Sequence, residues 1–141
     1  MMMKKCMIVG ALIVWASVCA AREKVVVAYD GDDPKIAFAV GDIKKALSDT
    51  GYTLVVRDAD IRIAFDFFEP GMGPQSFRIR KEGDSTMRIV GGDELGAMYG
   101  GLELAEQITL GGGLDAVREM ARKPYLFRRG LKYNIPLDSG N

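Results

Sequence analysis

Apolar and polar positions follow two different periods along this chain, and the switches between them mark its elements. After Glu23-Lys24 comes Val25-Val26-Val27-Ala28-Tyr29, a β-branched run that predicts a buried strand. Asp30-Gly31-Asp32 ends it as a turn cluster. Asp33-Pro34 then supplies an N-cap and a proline at the first helical position, where the missing N–H costs nothing. Ile36, Val40, Ile43 and Leu47 follow at spacings of four, three and four, one apolar stripe with Lys44, Lys45 and Asp49 pointing away. Gly51 is the expected stop. Thr53 to Val56 predicts a second strand and completes a β-α-β unit with a right-handed crossover. Ile61 to Phe67 alternates strictly, so Ile61, Ile63, Phe65 and Phe67 face a core while Arg62 and Asp66 face out.

Glu69-Pro70-Gly71-Met72-Gly73-Pro74 reads as a loop and leads to a hairpin. Phe77 and Ile79 alternate with Arg78 and Arg80, Glu82-Gly83-Asp84 turns the chain, and Met87 and Ile89 alternate with Arg88. Gly91-Gly92-Asp93 ends the hairpin and caps a second helix, with Leu95, Met98, Tyr99, Leu102, Ala105 and Ile108 on its apolar side. Gly111-Gly112-Gly113 terminates it. Gly96, Gly100 and Gly101 lie inside this helix, each costing about 1 kcal/mol relative to Ala. An offsetting contact is therefore expected, namely close approach of the helix backbone to the sheet. Leu114 to Arg122 is either a short helical turn or a linker. The pattern predicts an α+β domain: a mixed sheet of about five strands, two helices packed on one face, the other face wetter.

The N-terminus has a different character. Lys4 and Lys5 precede an apolar run from Met7 to Val14, and Ser17-Val18-Cys19-Ala20-Ala21 closes it with small residues. That order is a secretory signal peptide over residues 1–21, cleaved after Ala20 or Ala21. A membrane anchor would need roughly 20 apolar residues, more than this run offers. Val18 before Cys19 fits a lipoprotein site badly. The expected location is secreted or periplasmic, with no membrane span once the signal is removed.

Both cysteines, Cys6 and Cys19, fall within that leader, and the chain has no histidine. Ser-His-Asp and Cys-His catalysis, disulfides and most zinc sites are thereby excluded from this chain, and no cofactor or metal is expected. Nineteen basic residues balance nineteen acidic ones, so nothing suggests the strongly basic face of a nucleic-acid binder. About 120 residues remain after the leader, enough for one small domain. A complete enzyme barrel takes about 250.

Three motifs invite a functional reading. Gly91-Gly92-Asp93-Glu94-Leu95 is similar to the signature pentapeptide of cyclic-dinucleotide synthases. There the motif sits at a hairpin tip in a cytoplasmic domain with further metal-binding carboxylates; here it caps a helix behind an export signal. Gly71-Met72-Gly73 and Gly111 to Gly113 lack the Lys-Ser/Thr or spaced-Gly pattern of a phosphate loop and read as connectors. Arg62, Arg78, Arg80 and Arg88 form a stripe on the open sheet face. It is read as a solvated face that discourages edge pairing, in preference to a bidentate site for an acidic sugar.

The last segment, Pro124 to Asp138, has strand character after Gly130: Leu131, Tyr133 and Ile135 alternate with Lys132 and Asn134. Taken with the hairpin leading into Gly92-Asp93-Glu94-Leu95-Gly96-Ala97-Met98-Tyr99-Gly100-Gly101-Leu102, it resembles a known arrangement. β-Hexosaminidases and α-glucuronidases carry a small α+β domain before the barrel, in which a hairpin feeds a helix of the form Gly-x-x-Tyr-Gly-x-x-x-Leu. Arg129-Gly130 is similar to the start of their first barrel strand.

The resemblance implies a non-catalytic accessory α+β domain at 22–122, then at 123–141 a linker and the first strand of a truncated (β/α) barrel. It also implies that Arg129 contacts the carbohydrate substrate and that the main partner is the catalytic barrel of the same parent protein. The catalytic carboxylates of such enzymes lie on later barrel strands, so no catalytic residue is assigned here and the chain alone is expected to be inactive. The Asn-x-Pro-Leu-Asp ending departs from the hexosaminidase pattern, which leaves the sugar open. The alternative is a stand-alone extracytoplasmic glycan-binding or structural interaction module. A binding module would need exposed aromatics for stacking, and no Trp remains after Trp15 leaves with the signal.

Overall fold

The computed structural model describes residues 22–124. β1 spans Lys24–Ala28 and α1 spans Pro34–Asp49. Asp33 caps α1 as the sequence predicts: its carboxylate accepts from Lys35 N at 2.8 Å, and Pro34 opens the first turn. Ile36, Val40, Ile43 and Leu47 are all fully buried. The helix closes where Thr50 Oγ1 donates to Ala46 O at 2.7 Å, and Gly51 takes the left-handed conformation at φ +93°.

β2 is only Thr53–Leu54, shorter than the predicted Thr53 to Val56. It pairs with β1 over two positions; Val55 N still donates to Val25 O at 3.0 Å, but Val56 then turns out to solvent. β3, Ile61–Phe67, keeps the predicted alternation, with Ile63 and Phe65 buried and Arg62 and Asp66 exposed. β4, Phe77–Glu82, and β5, Thr86–Gly91, form the predicted hairpin, and α2 follows at Glu94–Gly111. A 3₁₀ turn at Leu114–Ala116 leads to β6, Met120–Arg122.

Among the described residues the sheet therefore has six strands rather than about five, in the order β2-β1-β3-β5-β4-β6. β1 to β3 and β3 to β5 pair in parallel, while β4 runs antiparallel to both β5 and β6. The added strand is β6, in the stretch read as a turn or linker. Three residues carry no periodicity, and β6 exists because β4 offers an open edge at Phe77–Ile79.

Both helices cover one face. Between them and the sheet lies a continuous core of Val25, Ile63, Phe65, Ile79 and Ile89 with Ile36, Ile43, Leu104 and Ile108. The α2 glycines explain how the layers fit. A Cβ at Gly100 would meet Ile89 Cγ2 at 2.7 Å and Phe77 Cβ at 3.2 Å, so here the helix does lie on the sheet. At Gly101 it would meet Ala39 Cβ at 2.8 Å, so that glycine serves the contact with α1 as well. At Gly96 it would collide with the Ser76 carbonyl. The expected offset is real, but it involves a loop and the other helix in addition to the sheet. The expected leader at 1–21 and the expected barrel strand after Gly130 lie outside the described residues.

Candidate functional site

The open sheet face gathers the charged side chains. Register places Arg80 on β4 directly opposite Arg88 on β5, and like charges so placed repel. Carboxylates resolve the conflict. Arg88 Nε donates to Glu82 Oε1 at 2.8 Å, its Nη2 to Glu82 Oε2 at 2.9 Å, and its Nη1 to Asp66. Arg80 Nη2 donates to both Glu69 oxygens at 2.8 and 3.1 Å, and Arg78 Nη1 lies 3.6 Å from the same carboxylate. The hydrogen bond from Arg88 holds the Glu82 carboxyl below its ordinary range, and bonds to Glu82 and then Asp66 push the Arg88 guanidinium further up.

Three of the four arginines in the predicted stripe are thus engaged by carboxylates, while Arg62 stands exposed beside them. The face is solvated and close to neutral. Arg80 and Arg88 present no uncommitted fork to a uronate. A general acid must keep its proton near neutral pH, and Glu82 is pulled the other way.

At the end of β3 the chain does something the alternation alone does not convey. Phe68, a bulky residue, sits at φ +66° and is 64% exposed. Its N–H donates to Gly91 O at 3.0 Å, and its ring meets Phe67 edge-on with centroids 5.3 Å apart. It borders a depression of about 320 Å³ that Asp66, Glu69, Arg80 and Arg88 also line. Neither Phe68 nor Glu69 stands out as a site residue in the sequence. The available signal is an apolar residue just past the alternating strand, where the next outward position would fall.

The remaining motifs have structural uses. Asp93 caps α2, accepting from Gly96 N at 2.7 Å and from Gln75 N at 3.0 Å. A Cβ at Gly92 would strike the Gly73 carbonyl, so the two glycine stretches pack against each other. Gly112 ends α2 in the left-handed conformation at φ +79°. Among the described residues no group of three or more Asp, Glu, His or Cys is placed to hold a metal ion. No helix among them is long and apolar enough to cross a membrane. Arg129, the substrate contact implied by the resemblance, lies outside the described residues.

No family model matches the chain, and no curated protein matches it. Solved structures do. A GH138 enzyme targeting pectin rhamnogalacturonan II aligns at 24% identity and a TM-score of 0.57, over 72% of this chain and 15% of that one. A family GH115 4-O-methyl-α-glucuronidase with specificity for decorated arabinogalactans aligns at 17% identity and a TM-score of 0.50, over 62% of this chain and 14% of that one. The chain spans a small part of either protein. At these identities the likeness is one of fold: this α+β domain shares its fold with a small part of each of two glycoside hydrolases.

Proposed function

We propose that this chain is a non-catalytic N-terminal accessory domain of an exported glycoside hydrolase that degrades polysaccharides or other glycans. The observation that carries the reading is the pair of fold matches, each to a small share of a much larger glycoside hydrolase. The leader at 1–21 supports export, and the Tyr99-Gly100 helix followed by Arg129-Gly130 supports placement ahead of a barrel. In the intact protein the domain packs against the catalytic barrel and supports its first strand, and Arg129 contacts the terminal sugar.

The domain itself does no chemistry. Glycoside hydrolysis takes two carboxyl groups about 5 to 10 Å apart across a sugar, one of them protonated. On the open face, Asp66 and Glu82 share Arg88, and Glu69 is held by Arg80. The test has two parts. The genomic sequence downstream of codon 141 is expected to encode β-α repeats with paired carboxylates. The purified chain is expected to cleave no chromogenic glycoside. A barrel-free downstream region, or hydrolysis by the chain alone, overturns the reading.

A further inference from the structure

We propose that Phe68 is a stacking platform for a neutral pyranose, and that the depression beside it is a glycan contact site on the open sheet face. This assignment rests on reading the chain as part of a carbohydrate-active enzyme. Three independent features converge there. The first is backbone strain: a bulky residue at positive φ is uncommon, and such outliers persist where the surroundings impose them. Here the Phe68 N–H bond to Gly91 O and the edge contact with Phe67 hold it. The second is exposure. The strained residue stays 64% exposed rather than turning into the core.

The third feature is the rim. Arg80 binds Glu69 through Nη2 and Arg88 binds Asp66 through Nη1, which holds guanidinium donors and carboxylate acceptors in place there. A pyranose needs both kinds of surface at once. Its axial C–H groups carry slight positive charge and suit the negative face of an aromatic ring. Its ring-edge hydroxyls each donate and accept, which suits paired carboxylates and guanidinium groups. The two arginines and two carboxylates balance, so the rim favours an uncharged sugar over a uronate.

The experiment is an NMR titration of the full chain, freed of its leader, with cellotetraose, β-1,4-galactotetraose and tetragalacturonate. A neutral oligosaccharide is expected to perturb Phe68 and to bind more tightly than tetragalacturonate. Phe68→Gly and Phe68→Asn both tolerate positive φ. Each should weaken binding about tenfold or more while the melting temperature holds or rises, whereas Phe68→Tyr should retain binding. A ring that merely packs would instead lower the melting temperature when removed. Three outcomes overturn the site: no neutral sugar binds, tetragalacturonate binds better, or Phe68→Gly leaves binding unchanged. None of these depends on whether a barrel is encoded downstream, so the failure of the site and the failure of the proposed function remain distinguishable.

Discussion

Three helical glycines separate two uses of the same residue. Gly96 and Gly101 are filled positions in all but name: an added methyl would strike the Ser76 carbonyl in one case and Ala39 and the Phe65 ring in the other. Gly41, on the exposed side of α1, has nothing within 4 Å of its would-be Cβ. Chemical denaturation should separate them. Gly96→Ala and Gly101→Ala are each expected to lose about 1–3 kcal/mol of stability through overpacking. Gly41→Ala should gain about 0.5–1 kcal/mol, because only the backbone entropy of glycine is removed. Composition alone reveals that glycines inside α2 need a reason, since their helical cost is local. Which neighbour supplies the reason is set by the approach of Ser76 and Ala39, residues far away in sequence. Phe68 poses the same difficulty: its exposure depends on a backbone angle that no spacing rule predicts.

At the level of elements, legibility follows how much of the stabilising contact is local. α1 announces itself through Asp33-Pro34, the Ile36-Val40-Ile43-Leu47 stripe and Gly51, all within one stretch. β3 is equally plain from Ile61 to Phe67. β6 is not, because Met120-Ala121-Arg122 becomes a strand only by pairing with Phe77–Ile79. The start of α2 lies between these extremes. Asp93 is recognisable as a cap, but its second hydrogen bond, from Gln75 N, ties the helix to the loop before β4, where Gln75 itself has φ +59°. Asp93→Ala therefore removes more than an ordinary cap. A loss at or above about 2 kcal/mol is expected, and Asp93→Asn should recover most of it, as read by thermal unfolding. An Asp93→Ala variant within a few tenths of a kcal/mol of the parent would show that the link to Gln75 carries no weight.

For the whole molecule, the order of the strands has a kinetic meaning. β1 sits at the interior of the sheet with β2 and β3 on its flanks, and β3 in turn needs β5. Val25 meets Ile61, Arg62 meets Thr86, and Phe77 meets Arg122, each pair joined only after a long stretch of chain has been made. Closing such loops costs entropy before the contacts repay it, so non-local parallel pairing is slow. Refolding from denaturant is expected on the order of milliseconds to seconds, not microseconds, and stopped-flow fluorescence of the tyrosines would measure it. A microsecond phase accounting for the full amplitude would contradict the topology. For a chain read as carrying a translocation signal, slowness of this kind is useful. β3 waits for β5 and β4 waits for β6, so the sheet cannot be completed until the chain has been made through Arg122. The polypeptide therefore stays threadable through a narrow pore and acquires its full fold on the far side.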